Sequence, residues 1–212
     1  MMIGIIGTGG HAKVILDIFQ NSNRKQLFEF FTSSRSNIDP IFHAYAVYKD
    51  QQDILLQSHS RIKKWHVAIG NPLVRKSKIE FLQSYHRHVI SAIHKQAILA
   101  NDIHIGEGTS IMAGAVVNPS VHIGTGCIIN TTVSLDHDCL IGEYVNIGPG
   151  SKLAGGVQVG SLTELGTGAI VIPNKTIGKK CIIAAGAVVV NNIPDGSIAM
   201  GVPAKVVAIR SP

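Results

Sequence analysis

From Leu99 onward, every sixth residue is Leu, Ile or Val: Leu99, Ile105, Ile111, Val117, Ile123, Ile129, Leu135, Ile141, Ile147, Leu153, Val159, Leu165, Val171, Ile177, Ile183 and Val189. A helix buries side chains about every 3.6 residues and a strand every 2, so neither explains an unbroken period of six. Such a period predicts a parallel β-helix in which three short strands close each coil. Residues eighteen apart then stack, and the run from Leu99 to Val190 makes about five coils. The residue after a ladder position is usually small or turn-forming, as at Gly106, Gly124, Asn130, Asp136, Gly142, Gly148, Gly160, Gly166 and Gly178. Such residues tolerate the tight corner between two flat strands. Two residues before each ladder position runs a second column, small or β-branched, that includes Thr109, Ala115, Val121, Cys127, Val133, Cys139, Ser151 and Thr163.

That frame assigns the cysteines. Cys127, Cys139 and Cys181 are spaced by multiples of six and all fall in the second column, so they read as small buried hydrophobes. They lack metal-ligand spacing. Three unpaired thiols suit a reducing, cytoplasmic compartment.

Composition narrows the class. Only 15% of the 212 residues are charged and the mean hydropathy is +0.26, which is apolar for a soluble chain. No apolar run reaches the length of a membrane span, and no basic segment leads into a long apolar stretch at the N-terminus, so neither a span nor a signal peptide is expected. Apolar surface without a span points to oligomerisation. The net charge of +6 is scattered, without a Lys/Arg tract or interleaved aromatics. That distribution suits anionic small molecules rather than nucleic acid.

Residues 1 to about 90 follow different rules. A buried strand, Met2-Ile3-Gly4-Ile5-Ile6, runs into Gly7-Thr8-Gly9-Gly10-His11-Ala12 and then into helical spacing over Lys13–Phe19. Gly7, Gly9 and Ala12 satisfy G-x-G-x-x-G/A in the strand–turn–helix context that the pattern requires. Glycine admits a phosphate close to the backbone, and a helix N-terminus favours an anion; a tight turn with no ligand is the plainer alternative. A second strand, around Leu27 to Phe31, ends in Thr32-Ser33-Ser34 rather than in a carboxylate for a ribose, and there is no room for a second mononucleotide half, so NAD is not expected. A strand from Trp65 to Ile69 ends in Gly70-Asn71-Pro72, a helix with Arg75, Lys76 and Lys78 follows, and a last strand spans His88 to Ile93. These elements predict a small three-layer α/β domain with its strand C-termini at one edge, where ligands of such sheets bind.

Two sets of histidines stand out. His104 and His122 are eighteen apart and stack on one outer face, but Leu140 takes the next place and no third metal ligand is evident. His137 lies two past a ladder residue, at an outward corner, between Asp136 and Asp138. A carboxylate on one ring nitrogen fixes the tautomer and raises the basicity of the other, which is a general-base arrangement.

The hexad ladder, together with Gly201-Val202-Pro203-Ala204-Lys205, resembles the hexapeptide-repeat acyltransferases. Gly7-Thr8-Gly9-Gly10-His11-Ala12-Lys13, Ala68-Ile69-Gly70-Asn71 with Arg75, Ile93-His94-Lys95, and Asn130-Thr131 with Asp136-His137-Asp138-Cys139 narrow the match. They resemble the branch that includes the UDP-4-amino-sugar N-acetyltransferases of bacillosamine synthesis and the sialic acid O-acetyltransferases. The resemblance implies a Rossmann-like nucleotide-sugar-binding domain over residues 1–92 and a left-handed parallel β-helix over residues 93–212. It implies His137 as general base with Asp138, where relatives have Glu, raising its basicity. It places the nucleotide sugar against Gly9, Gly10 and His11, with Thr32 and Ser33 at a point where relatives are acidic, and with Gly70 and Asn71. Acetyl-CoA is expected at Asn130, Asn146 (often His in relatives), Thr167 and Ala185, between subunits of a homotrimer. No metal is expected. The expected reaction is direct N-acetylation of a UDP-linked 4-amino-4,6-dideoxy sugar. O-acetylation of sialic acid or another sugar, a non-catalytic trimeric β-helix, and zinc-dependent hydration are the alternatives.

Overall fold

The computed structural model describes residues 1–22, 26–34, 38–57 and 62–209. The chain divides into two compact units, Met1–Lys95 and Gln96–Pro212.

The first unit is α/β. Its strands β1 (Met2–Ile6), β2 (Leu27–Thr32), β3 (Ala46–Lys49) and β4 (Ile62–Val67) form one parallel sheet in the order β3-β2-β1-β4. Helix α1 (Gly10–Ser22) follows the glycine turn, and a short α2 (Gln52–Gln57) precedes β4. Helix α3 (Pro72–Ser84) begins with Pro72 at its first position, where the missing N–H costs nothing. The near-continuous apolar runs of β1 and β2 are those of strands covered on both faces; Ile3, Ile5, Ile6, Phe30 and Phe31 are fully buried with Trp65 and Val67. Gly4 is small because a Cβ there would lie 2.7 Å from the Trp65 ring. The expected last strand from His88 to Ile93 shrinks to an isolated bridge, Trp65 to Val89, and to a two-residue strand, β5 (Ala92–Ile93).

The second unit is the left-handed β-helix. Two-residue strands stack on three faces with parallel partners eighteen residues apart, such as His122 with Leu140, Ile128 with Asn146 and Ser134 with Lys152. The first face carries the strands from His104–Ile105 to Thr176–Ile177, and the third those from Ile98–Leu99 to Val188–Val189. The second face carries the strands from Ser110–Ile111 to Ile182–Ile183 and ends in a hairpin of Ser197–Met200 and Lys205–Ile209. The Gly201–Lys205 motif makes the turn of that hairpin.

Every ladder residue from Ile111 to Val189 is buried. Fully burying one such side chain contributes about 1.5–3 kcal/mol. The second column also points inward, and its polar members are satisfied by the carbonyl fifteen residues on: Thr109 donates to Gly124 O at 2.9 Å and Ser151 to Gly166 O at 3.1 Å. Cys127 and Cys139 repeat the pattern, donating from Sγ to Gly142 O at 3.0 Å and to Ala154 O at 3.2 Å. All three thiols are free and buried, and burial pushes the Cys139 thiol up to about 11. A buried, protonated thiol is a poor nucleophile.

The corners add a third column. Every sixth residue from Gly108 to Gly186 has positive φ, including Ser120, Thr132, Asp138 and Tyr144. At one corner the coils approach so closely that a Cβ on Gly124, Gly142 or Gly160 would lie 2.5–2.7 Å from the backbone of the next coil.

Candidate active site

In the first unit the chain leaves β1 for β2 on one side and reaches β4 on the other. Ligands of open α/β sheets bind in the crevice at such a reversal, beyond the strand C-termini. A cavity of about 430 Å³ lies there, lined by the turn from Gly7 to His11, by Phe31, Thr32 and Ser33 after β2, by Asp50 after β3, by Ala68, Ile69 and Gly70 after β4, and by Val74 of α3. The glycines in it differ in kind. Gly7 has φ +123° and a Cβ on it would lie 2.5 Å from Ala68 O, so the packing of β1 beside β4 requires it. A Cβ on Gly9, Gly10 or Gly70 would meet nothing within 4 Å. Folding therefore does not require glycine at those three positions, and the open space is room for a ligand.

His11 sits at this turn with its Nε2 buried and without a partner among the described residues. Burial, with the nearby His66 and the Arg75 guanidinium, lowers its pKa to about 3, so the ring is neutral. An unpaired buried polar atom costs about 1–3 kcal/mol, which a ligand hydroxyl or phosphate can offset. Arg75 is fully buried and donates to Ile69 O at 2.8 Å and to Gly70 O at 2.7 Å, fixing the loop that forms the cavity wall. Thr8 Oγ1 donates to Thr32 Oγ1 at 3.1 Å, and Thr32 donates on to Ser34 O at 2.9 Å. Of the residues expected here, Gly9, Gly10, His11, Thr32, Ser33 and Gly70 line the cavity. Asn71 instead caps α3, its Oδ1 accepting from Leu73 N and Val74 N, both at 3.0 Å. That bond satisfies helix donors that would otherwise be orphaned.

On the β-helix, His137 stands at the corner between the third and first faces. Its Nδ1 lies 2.7 Å from Asp138 Oδ2. Asp138 occupies the positive-φ column at φ 60°, a conformation that Asp tolerates better than most side chains. Asp136 Oδ1 accepts from His137 N and from Asn118 Nδ2, both at 2.9 Å, and these bonds lower its pKa. The Asp138 hydrogen bond, with the charges of Asp136 and Asp138, raises the pKa of His137. The imidazole is open to solvent at 63% exposure, so Nε2 is available to a substrate. Beneath the ring, one coil on, lies Gly155: a Cβ there would lie 2.5 Å from both Cε1 and Nε2 of His137. Its N–H has no partner among the described residues. The expectations from sequence omitted Gly155, although its spacing of eighteen from His137 was the available signal.

Asn146 lies on the second face, where its Nδ2 donates to Glu164 Oε2 at 3.0 Å. Thr167 and Ala185 are exposed and stacked eighteen apart at the corner between the second and third faces, and Asn130 lies at the same corner. Within one chain none of these residues lies at the corner that carries His137. His104 and His122 do stack, with ring centroids 5.9 Å apart. Among the described residues no group of three or more His, Cys, Asp or Glu could hold a metal ion. A second cavity of about 410 Å³ runs along the first face between His122 and Lys179, and none of the expected acetyl-CoA residues lines it.

A β-helix of six-residue repeats with a carboxylate-paired histidine on an open corner has the architecture of a hexapeptide-repeat transferase. Residues 2–82 match the PglD N-terminal domain family, and residues 102–137 match the bacterial transferase hexapeptide (six repeats). The fold is similar to PerB from Caulobacter crescentus in complex with CoA and GDP-perosamine, at 35% identity and a TM-score of 0.89 over 98% of both chains. It is similar to the acetyltransferase domain of PglB from Neisseria gonorrhoeae in complex with acetyl coenzyme A, at 30% identity and a TM-score of 0.89, over 97% of this chain and 98% of that one. WeeI from Acinetobacter baumannii matches at 25% identity and a TM-score of 0.87, over 98% of this chain and all of that one. Structures of the Caulobacter enzyme with one histidine replaced by Asn or Ala also hold CoA and GDP-perosamine. The chain belongs to this family of hexapeptide-repeat sugar N-acetyltransferases with a PglD-type N-terminal domain. It is an acetyltransferase with acetyl-CoA as co-substrate.

Proposed function

We propose that this enzyme transfers the acetyl group of acetyl-CoA directly to the amino group of a nucleotide-linked amino sugar, with His137 as general base. The observation that carries the reading is the His137–Asp138 pair: Nδ1 is held at 2.7 Å, so Nε2 is the basic nitrogen and faces solvent. The neutral amine attacks the thioester carbon while Nε2 accepts its proton. The C–N bond forms, the C–S bond breaks, and the proton passes to the departing thiolate of CoA. The unpartnered N–H of Gly155, the residue packed under the His137 ring, would serve as a donor for the developing oxyanion, and such donors are effective because they need no reorganisation. No acyl-enzyme is required, since the three thiols are buried.

The first unit holds the nucleotide. Gly9 and Gly10 leave room for the diphosphate at the start of α1, His11 Nε2, without a partner among the described residues, is free to meet it, and Thr32, Ser33 and Gly70 complete the wall. Resemblance points to a UDP-linked 4-amino-4,6-dideoxy sugar, whereas the Caulobacter neighbour is held with GDP-perosamine. Asn130, Asn146, Thr167 and Ala185 contact acetyl-CoA. They lie one face away from His137 in the same chain, so a site that contains both sets is shared between copies of a homotrimer. Exposed apolar side chains on the outside of the helix, among them Ile98, Ile170, Val207 and Ile209, support burial against further copies. Among the described residues no helix is long and apolar enough to cross a membrane. The free thiols favour the cytoplasm.

An acceptor screen with acetyl-CoA tests the reading, with thiol release as the signal. Nucleoside-diphosphate amino sugars should be acetylated and free sialic acid should not. His137→Ala should lower kcat by roughly 10²–10⁴ while retaining acetyl-CoA binding. Acetylation of free sialic acid alone would establish the O-acetyltransferase, and a failure to release thiol with any acceptor would leave only a binding β-helix.

A further inference from the structure

Asp50 places a carboxylate in the wall of the N-terminal cavity, and nothing in the proposed chemistry uses it. Asp50 directly follows β3, and its N–H donates to Thr32 O at 3.0 Å, which ties it to the end of β2. Its side chain is only 11% exposed and Oδ2 lies 3.0 Å from Lys78 Nζ of α3. Lys78 also donates to Asp50 O at 3.3 Å, so both the backbone and one carboxylate oxygen are anchored. Oδ1 has no partner among the described residues. Phe31, Thr32, Ser33 and Val74 line the same cavity.

The position along the sheet edge says which part of a nucleotide meets this carboxylate. The diphosphate belongs at the glycine turn after β1. Neighbouring strands lie about 4.8 Å apart, so the end of β2 is one step from the phosphates and the end of β3 is two steps, roughly 10 Å. A nucleoside extended along that edge sets its ribose over Thr32 and Ser33 and the far edge of its base at Asp50. A carboxylate there can only accept hydrogen bonds, through two oxygens side by side. Guanine is the one common base that offers two adjacent donors, N1–H and N2–H. Uracil and thymine offer a single N–H flanked by two carbonyls, which face the carboxylate with lone pairs. Adenine and cytosine place a ring acceptor beside the amino group.

We propose that Asp50 selects a guanine nucleotide, so that the acceptor is a GDP-linked rather than a UDP-linked amino sugar; this rests on the nucleotide-sugar reading above. Two charge-assisted hydrogen bonds are enough to favour GDP over UDP by roughly 10²-fold. Asp50→Asn turns one acceptor into a donor. The amide then opposes one guanine donor and matches the donor–acceptor edge of uracil, so the preference collapses or inverts.

The test is calorimetric titration of the full chain and of Asp50→Asn with GDP and with UDP. The expected result is GDP bound about 10²-fold more tightly by the unaltered protein, and GDP weakened by about that factor in the variant with UDP binding kept or improved. Retained UDP binding also shows that the variant is folded. GDP no tighter than UDP in the unaltered protein overturns the assignment whether or not the variant folds, and so does a variant that keeps its GDP preference. Binding of neither diphosphate would instead remove the nucleotide reading itself.

Discussion

Gly155→Ala isolates the seat of His137. The new methyl carbon would lie 2.5 Å from both Cε1 and Nε2 of the ring. Carbon contacts are comfortable at about 3.5–4.0 Å, so the ring must retreat by about 1 Å or more. The backbone does not object, because Gly155 lacks the positive φ of Gly156 beside it. The ring moves into solvent, so stability should change by less than about 0.5 kcal/mol. Asp138 holds the ring at Nδ1, and a retreat stretches that 2.7 Å bond. A displacement of about 1 Å at a reacting group costs on the order of 10²-fold in rate. The assay is steady-state acetyl transfer with thermal unfolding in parallel. kcat should fall 10- to 100-fold (roughly, from that displacement cost), KM for acetyl-CoA should change little, and the melting temperature should hold. In a His137→Asn background the same substitution should cost nothing further, because the coupled pair has already been broken. Wild-type kcat in Gly155→Ala, or an equal loss in both backgrounds, would refute the reasoning.

Asp138→Asn removes the charge and weakens the hydrogen bond that raise the His137 pKa, so the acid limb of kcat/KM should move to lower pH while the plateau falls; an unmoved limb would mean that Asp138 does not tune the base. His66 is fully buried, with its Nδ1 2.8 Å from Ile90 O, and desolvation lowers its pKa from 6.5 to about 4. The unfolded chain therefore binds the extra proton first, and stability is lost as pH falls from about 6.5 to about 4, by roughly 3 kcal/mol at about 1.4 kcal/mol per unit. Denaturant melts across that range should show the slope, to which the neutral ring of His11 adds, and His66→Gln should reduce it without abolishing it. In the ladder, Ile147→Ala empties a fully buried site between two coils and should cost about 2–5 kcal/mol in the same melts.

Much of the β-helix is legible in the sequence because each of its constraints recurs every six residues. The ladder, the inward column and the small corner residues can all be read off one strand of text. The positive-φ column is half hidden: Gly108, Gly114 and Gly126 declare it, while Tyr144, Leu162 and Lys180 carry the same backbone without announcing it. In the first unit the glycine turn and the Asn71-Pro72 cap are local signals and mark where α1 and α3 begin. β3, the Pro40–Ala44 turn of 3-10 helix and α2 are each only four to six residues long, too short to carry a period. Asp50 follows directly from one of them, so its place in the cavity depends on the parallel pairing of β3 with β2. The terminal hairpin was hidden for another reason: Val206, Val207 and Ile209 alternate with nothing polar, and the whole strand is exposed.

The hexad itself decides where chemistry can sit. Counting from a ladder residue, the fourth position points inward, and the first must often be glycine because the next coil is in contact. The third requires positive φ. Only the second and fifth positions face outward with an ordinary backbone. His137, Gly155, Thr167 and Ala185 are all second positions, and Asn146 is a fifth. Asn130 is a first position, and Asp138 occupies a third. The choice of Asp at 138 is economical: Asp is among the few residues that accept φ 60°, and the conformation turns its carboxylate back onto the preceding ring. A longer acidic side chain would bridge the same gap from further out, so Asp138→Glu should keep most of the activity where Asp138→Asn does not. A larger loss in Asp138→Glu than in Asp138→Asn would show that the length of the arm, rather than its charge, orients His137.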